Sequence, residues 1–222
     1  MLTFSNVTFS YPNQTVFSDV NLNLEQGEFS FLIGKSGSGK STLLQLVYMN
    51  ILPQSGNVTF LEYDSGFIKR RDLPYLRRKL GIIFQDFRLL KDRNIYDNIA
   101  FVLESTNTPR REIKRKVNDA LTDVGLSHRR YSMPDELSGG EKQRIAIARA
   151  IVNEPVLILA DEPTGNLDPE TSYEILDILL QIHSRGTAVL FATHNYEIVK
   201  KYPAKIIKLE DGKAIKAVLK QK

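Results

Sequence analysis

The sequence predicts an α/β protein built on a mainly parallel sheet, with a β-rich lobe first and a helical lobe in the middle. Two short, nearly all-apolar runs at 156–160 and 188–192 are typical of strands buried on both faces, as parallel strands are. Between them, 171–182 has the apolar spacing of an amphipathic helix. This strand–helix–strand order is the signature of an open α/β sheet.

The first third of the chain is predicted to be mostly strand. Apolar and polar residues alternate over 2–4, 7–9 and 20–24, a period of two that is typical of half-buried strands. A turn at Gly27 leads into a strand over 29–33. A Gly-rich loop, a helix over 41–49 and a strand over 57–60 are predicted to follow.

Helical spacing dominates the middle of the chain. Apolar residues recur on one face over 110–124, with charged residues opposite, and Pro134 ends that region. The Ala-, Ile- and Arg-rich segment 141–151 predicts a second helix. A chain of 222 residues suits one domain. We expect a single domain over 1–222, in which a helical subdomain at 88–153 interrupts a core formed by 1–87 and 154–222.

Composition excludes several classes of site. The chain has no cysteine, so disulfide scaffolds, thiol nucleophiles and thiolate metal sites are excluded, and three histidines disfavour a histidine metal site. No apolar run approaches the roughly 18 residues of a membrane helix, and the N-terminus lacks the pattern of a signal peptide. We therefore expect a cytoplasmic protein that does not itself span a membrane.

Positive charge is concentrated in two segments. The net charge is +4, yet 200–222 alone carries eight lysines against Glu210 and Asp211, which leaves the preceding chain slightly acidic. A second cluster consists of Lys69, Arg70, Arg71, Arg77, Arg78 and Lys79. These segments are either solvated faces or contacts with anionic lipid or an acidic partner. Nucleic acid is not expected, because no aromatic residues interleave the lysines.

The loop after the predicted strand 29–33 matches the phosphate-binding pattern G-x-x-x-x-G-K-[ST]. The matching residues are Gly34, Lys35, Ser36, Gly37, Ser38, Gly39, Lys40 and Ser41. A strand before the motif and a helix after it are the context that this P-loop requires. Its backbone N–H groups and helix N-terminus would cradle phosphates, Lys40 would reach the β- and γ-phosphates, and Ser41 would ligate Mg²⁺. Thr42 belongs to the same predicted nucleotide-binding set.

A pair of carboxylates follows the apolar run 156–160. Because the carboxyl ends of parallel strands face the ligand crevice, Asp161 is predicted to hold Mg²⁺ and Glu162 to polarise an attacking water. An acidic strand end alone is a weak signal, and the P-loop is what makes it a strong one.

A second anion-binding nest is predicted at Ser138, Gly139 and Gly140, at the start of the helix over 141–151. A plain N-cap at Ser138 is an alternative that is compatible with the nest. One phosphate group cannot easily use two such nests in one chain, so the pattern suggests a second subunit.

The ordered set of a P-loop, the run Leu137–Glu141 (LSGGE), the Asp161–Glu162 pair and a later histidine resembles the ATP-binding cassette (ABC) ATPases. The resemblance covers the chain from Tyr11 to the C-terminal strands. It implies a P-loop NTPase fold, in which a RecA-like parallel sheet carries an N-terminal antiparallel β subdomain and an inserted α-helical subdomain. It also implies an ATPase that uses ATP and Mg²⁺.

The same resemblance implies roles for further residues. Tyr11 resembles the aromatic that stacks on adenine, Gln85 the glutamine that contacts Mg²⁺, and His194 the histidine that contacts the γ-phosphate. The segment 165–168 resembles the loop that crosses the dimer interface. The implied catalytic set is thus Lys40, Gln85, Glu162 and His194, and the implied metal ligands are Ser41, Gln85 and Asp161.

The family also implies an ATP-dependent homodimer. Two copies would close head to tail, with Ser138 and Gly140 of one chain on the γ-phosphate bound by the other. Outside the family context, Tyr11 would be an ordinary turn aromatic, Gln85 a strand-end residue and His194 a core histidine.

The segment 77–98 resembles the cell-division branch of the family, FtsE, which acts with the membrane protein FtsX to regulate cell-wall hydrolysis. This implies an integral membrane partner of FtsX type and a peripheral location on the cytoplasmic face of the inner membrane. A lipoprotein-releasing or small-molecule transporter ATPase is an alternative, because such cassettes share the stretch 160–168. A soluble ABC ATPase acting on nucleic acid or ribosomes, and a switch that does not hydrolyse ATP, are the others.

Overall fold

The computed structural model describes residues 1–217, and two sheets organise them. The smaller sheet is antiparallel and comes from the N-terminal part of the chain. Its strands, in spatial order, are β2 (Gln14–Leu24), β1 (Leu2–Tyr11), β4 (Ser55–Phe60) and β5 (Tyr63–Asp64).

The larger sheet has six strands, of which five run parallel. In spatial order they are β10 (Lys213–Ala217), β9 (Lys205–Glu210), β3 (Phe29–Ile33), β8 (Ala188–Thr193), β7 (Leu157–Asp161) and β6 (Leu80–Ile83). Only β10 is antiparallel to its neighbour. Successive residues of β3 point into different cores, since Phe31 packs with the helical side and Leu32 with the smaller sheet. Burial on both faces explains the near-continuous apolar sequence of the central strands.

Helices cover this larger sheet and fill the segment between β6 and β7. The seven α-helices within residues 1–217 are α1 (Lys40–Val47), α2 (Leu73–Arg78), α3 (Ile95–Ser105), α4 (Arg110–Asp123), α5 (Gly139–Ile151), α6 (Pro169–His183) and α7 (Tyr196–Lys201). None of them is both long and apolar enough to cross a bilayer. The α/β class with an antiparallel N-terminal sheet and inserted helices is confirmed.

Several predicted boundaries differ from the structure, and three of these differences have a local structural cause. The runs 2–4 and 7–9 belong to one strand, whose pairing is irregular near Asn6, a residue with a φ of 51°. The first helix ends at Val47, because Met49 adopts a φ of 51°. The helix predicted over 141–151 begins two residues earlier, since Ser138 caps it.

The first of the inserted helices, α3, was not predicted and is anchored by a buried amide. Asn98 is fully buried on α3, and its side chain accepts a hydrogen bond from the Leu90 N–H at 2.7 Å. It donates to the carbonyl oxygens of Leu90, Arg93 and Asn94, each at 3.0 Å. A buried polar side chain that is fully hydrogen-bonded in this way fixes the position of the segment 90–94, which leads into α3.

Close packing of β6 against α5 leads to a first prediction. A Cβ atom on Gly81 would lie 2.6 Å from the carbonyl oxygen of Ala150, closer than atoms can pack. We expect Gly81→Ala to lower the free energy of unfolding by roughly 1–3 kcal/mol, because the backbone of α5 must shift. The matched control is Gly66→Ala, whose Cβ would have side-chain atoms and not backbone as its nearest neighbours, the closest being oxygens of Asn57 and Asp64 at 3.2 Å. Equal urea midpoints for the two variants would contradict this packing.

Candidate active site

The motif 34–41 leads from the carboxyl end of β3 into α1, and its last two residues form the start of that helix, as the motif requires. Two of its glycines have left-handed φ angles, 77° at Gly37 and 96° at Gly39. A Cβ atom on Gly39 would also lie 2.7 Å from Cγ1 of Val16. Glycine is therefore required at this position by both its φ angle and its contacts.

Lys40, the first residue of α1, is buried and fully engaged. Its side chain is 5% exposed, and Nζ donates hydrogen bonds to the carbonyl oxygens of Gly34 at 2.9 Å and Lys35 at 3.2 Å. Nζ also forms an ion pair with Oε1 of Glu162 at 3.1 Å. Burying an ammonium group destabilises the folded state unless the charge is paired. These three contacts therefore stabilise the Lys40 side chain in its position against the loop.

Glu162 directly follows β7, and its carboxylate joins Lys40 of the P-loop to His194, the residue after β8. Its Oε2 lies 2.8 Å from Nδ1 of His194 and 3.3 Å from the backbone N–H of the same residue. The Glu162 side chain is only 12% exposed. Its φ of 48° lies in the left-handed region, and its backbone N–H donates to the Ala192 carbonyl at 3.0 Å. Such a backbone is held by its surroundings, so the carboxylate has a defined position.

Asp161 is the last residue of β7 and contacts the P-loop side of the site. Its Oδ1 accepts a hydrogen bond from the Ser41 hydroxyl at 3.0 Å. Burial raises the pKa of Asp161, with a further contribution from the negative charge of Glu162, and the bond from Ser41 opposes the shift. The structure thus brings together Ser41 and Asp161, the two oxygen-bearing side chains that were each predicted to ligate Mg²⁺.

A single cleft of about 320 Å³ collects most of the predicted residues. Its lining includes Tyr11, Ser36, Gly37, Gly39, Lys40, Ser41, Thr42, Gln85, Glu162 and His194. His194 is not a core residue, since its side chain is 58% exposed. Tyr11 is 41% exposed and packs edge-on against Phe9 at 5.0 Å between ring centroids. Its outer face is therefore available for stacking.

Gln85 lies after β6 and is joined to the loop before α6. Its Nε2 donates to Oδ1 of Asn166 at 3.3 Å, and Nδ2 of Asn166 donates to the Gln85 carbonyl at 3.0 Å. Asp168, two residues further, caps α6 by accepting from the Thr171 N–H at 3.0 Å. Two hydrogen bonds therefore join the Gln85 loop to the loop before α6.

The predicted nest at Ser138, Gly139 and Gly140 lies at the N-terminus of α5, outside the cleft that contains Lys40. Ser138 caps α5, with Oγ accepting from the Glu141 N–H at 3.2 Å and its own N–H donating to Oε2 of Glu141 at 2.9 Å. The N–H of Ser138 lowers the pKa of Glu141. These three residues line a separate cleft of about 500 Å³, which shares no lining residue with the cleft of Lys40. Both the N-cap and a second nest are thus compatible with the geometry.

Comparison with known proteins decides the family. The model of the ABC transporter family matches residues 17–165. The chain belongs to the ABC transporter ATPase family. This ABC ATPase is 46% identical to the cell division ATP-binding protein FtsE of Mycobacterium tuberculosis over 218 residues, which covers 97% of the chain and 95% of the relative. It is 41% identical to the protein of the same name from Escherichia coli K12, with 96% of both chains covered.

Solved structures of other ATP-binding cassettes support the same family. The ABC ATPase superposes on cbiO1 from Clostridium perfringens, part of the ABC transporter complex cbiONQ, with a TM-score of 0.89 and 31% identity, covering 96% of this chain and 86% of that one. The post-hydrolysis dimer of the ATP-binding cassette MJ0796 with ADP and Pi gives a TM-score of 0.84 and 32% identity, with 96% of each chain covered. The predictions of an ABC-type ATPase and of ATP as its substrate are confirmed.

One residue that sequence reasoning missed in this ABC ATPase is Arg149, on α5. Its half-buried guanidinium donates from Nη1 to the carbonyl of Arg88, and from Nη2 to that of Phe87 at 2.8 Å. Phe87 and Arg88 have left-handed φ angles of 58° and 48°. Burial lowers the pKa of Arg149. Arg149 therefore ties α5 to the strained loop that follows Gln85, a contact that leaves no sequence pattern because its partners are backbone carbonyls.

We expect Arg149→Lys to loosen this loop, because a lysine lacks the fork that reaches two carbonyls at once. Amide hydrogen exchange over 86–90 should accelerate about tenfold, the effect of losing one hydrogen bond of typical net strength. ATPase turnover should fall in parallel. Arg115→Lys on α4, where Arg115 pairs with Asp119 at 3.0 Å in solvent, is the matched control. An unchanged rate of amide hydrogen exchange over 86–90 in Arg149→Lys would show that Arg149 does not hold this loop.

Proposed function

We propose that this ATPase hydrolyses ATP at sites shared between two copies of the chain, arranged head to tail. The observation that supports this most directly is the separation of the two clefts within one chain. Each has helix N–H groups suited to anions, at α1 and at α5. In a head-to-tail pair, Ser138 and Gly140 of one copy would contact the γ-phosphate held by Lys40 of the other.

Within each shared site, we assign binding to the P-loop side. Backbone N–H groups of 34–41 would hold the phosphates, Lys40 would contact the β- and γ-phosphates, and Tyr11 would stack on adenine. When ATP binds, the ion pair between Lys40 and Glu162 would weaken, because phosphate oxygens compete with the carboxylate of Glu162 for Nζ.

A Mg²⁺ ion fits the oxygen-bearing side chains at this site. The Ser41 hydroxyl and the Asp161 carboxylate are 3.0 Å apart, and both are hard oxygen donors of the kind that Mg²⁺ prefers. Gln85, which lines the same cleft, would add an amide oxygen. When bound, the ion would neutralise charge on the β- and γ-phosphates.

Glu162 is the proposed general base. Its carboxylate would accept a proton from the water that attacks the γ-phosphorus, while ADP departs with its own phosphates. The bond from Nδ1 of His194 to Oε2 of Glu162 orients the carboxylate, and His194 would stabilise charge on the transferring group. Positioning and charge neutralisation would supply most of the acceleration, as is general for phosphoryl transfer.

We further propose that the ATP cycle drives an integral membrane partner of FtsX type, from the cytoplasmic face of the inner membrane, and so regulates cell-wall hydrolysis in division. Support comes from nearly full-length identity to proteins named as cell-division ATP-binding proteins FtsE. A groove of about 390 Å³ beside the Gln85 loop, lined by Phe84, Val102 and Arg149, offers a place for that partner.

Co-purification from detergent-solubilised membranes tests the partnership. A four-helix protein with a large extracytoplasmic loop is the expected partner. A substrate-translocating permease would instead support a transporter ATPase, and the absence of any membrane protein would favour a soluble ABC ATPase.

Replacing the proposed base tests the chemistry. We expect Glu162→Gln to bind ATP but to hydrolyse it at least about 100-fold more slowly, because the amide cannot accept the proton. The variant should accumulate as an ATP-bound dimer in light scattering. The control is Glu104→Gln, a substitution at an exposed position on α3. Near-normal turnover of Glu162→Gln would exclude this base.

The shared site has its own test. In the Glu162→Gln background, Ser138→Arg should abolish the ATP-dependent dimer, because a bulky cation would occupy the place of the partner's nucleotide. ATP affinity of the monomer should stay within about threefold, since Ser138 is remote from its own P-loop cleft. Ser184→Arg, at the exposed end of α6, is the control. A dimer that survives Ser138→Arg would exclude the head-to-tail arrangement.

A further inference from the structure

The segment Phe67–Arg71 presents apolar and basic groups that the ATPase cycle does not use. Phe67 is 83% exposed, the highest value among the large apolar side chains of the described residues. Lys69, Arg70 and Arg71 follow at consecutive exposed positions. We call these four residues the basic turn. Tyr75 on α2 is 58% exposed and lies 5.3 Å from the guanidinium of Arg78, which continues the same chemistry.

The basic turn is held in place by its backbone. The N–H groups of Phe67 and Ile68 donate to the Asp64 carbonyl at 3.1 and 2.9 Å, and the Asp72 N–H donates to the Lys69 carbonyl at 2.8 Å. Ile68 also packs against the core under the smaller sheet. Exposure of the Phe67 ring is therefore a feature of the folded structure.

The positive charge of the basic turn is largely uncompensated. Within residues 1–217, Lys69 and Arg70 form no ion pair, and Arg71 has only a distant carboxylate, Asp72, at 3.8 Å. In the C-terminal lysine-rich segment the situation differs. Three of its lysines have acidic partners, in the pairs Lys200–Glu197, Lys205–Glu28 and Lys208–Glu210. Lys220 and Lys222 lie outside the described residues.

We propose that the basic turn binds the anionic surface of a lipid bilayer, with Phe67 entering the head-group layer and Lys69, Arg70 and Arg71 contacting lipid phosphates. Basic residues near an anionic leaflet are attracted to it, and an aromatic ring beside them is typical of interfacial anchors. A ring this exposed favours lipid over an acidic protein, because it needs an apolar phase to enter. The inference rests on the proposed work at a membrane and names the surface that meets it.

Vesicle flotation of the full-length protein tests the inference. Vesicles of phosphatidylcholine with and without phosphatidylglycerol serve as probes, and binding should require the anionic lipid. Neutralising Lys69, Arg70 and Arg71 to Gln should weaken binding about 100-fold, at roughly fivefold per charge. Phe67→Ser should weaken it about tenfold, the effect of losing partial burial of one ring.

A charge-matched control separates local contact from net charge. Arg110, Arg111 and Lys114 are three exposed basic residues on α4, and neutralising them to Gln makes the same change in net charge. We expect this control to lose less than fivefold. ATPase rate and ATP-dependent dimerisation should be unchanged in every variant, so these readouts report on the proposed function separately.

Three outcomes would overturn the inference. One is equal loss of binding in the control, and another is wild-type binding by the variants of the basic turn. The third is failure of the purified protein to bind anionic vesicles while a membrane protein is captured in a way that depends on the basic turn, which would identify an acidic protein as the partner.

Discussion

The carboxylate of Glu162, shared between Lys40 and His194, is the interaction on which the site depends. Three neighbouring strands of the parallel sheet, β3, β7 and β8, lead into the residues that meet there. A buried ammonium must be paired, and the left-handed backbone at Glu162 is held by its surroundings, with its N–H bonded to the Ala192 carbonyl on β8. The ends of these buried strands thus bring the three side chains together.

The proposed head-to-tail pair would account for the separation of the two clefts within one chain. Ser138 opens α5 in a cleft separate from that of Lys40, and in the proposed dimer its nest would contact a nucleotide held by the other copy. Within the chain the two regions are nevertheless connected. Asn166 joins Gln85 to the loop before α6, and Arg149 joins the loop after Gln85 to α5. In the proposed cycle, these contacts would connect the ATP cleft to the helical segment and to the groove beside it.

Much of this arrangement could be predicted from the sequence, for physical reasons. Buried parallel strands are continuous apolar runs, and a P-loop requires glycines at fixed spacing, so the sheet and the motifs 34–41 and 161–162 are visible in the sequence. Asn98 and Arg149 were missed because their partners are backbone groups of distant or irregular segments. The basic cluster was visible, but only the folded structure shows that Phe67 is exposed beside it and that lysines of the C-terminal segment have acidic partners.

In the proposed dimer, each ATP lies between Lys40 of one copy and Ser138 of the other. A crystal structure of Glu162→Gln with ATP and Mg²⁺ measures this most directly. We expect a two-fold dimer with two nucleotides, each contacted by the P-loop of one chain and by the N-terminus of α5 of its partner. ATP bound with Ser138 remote from any nucleotide, in a monomer or in a dimer of another arrangement, would contradict the account.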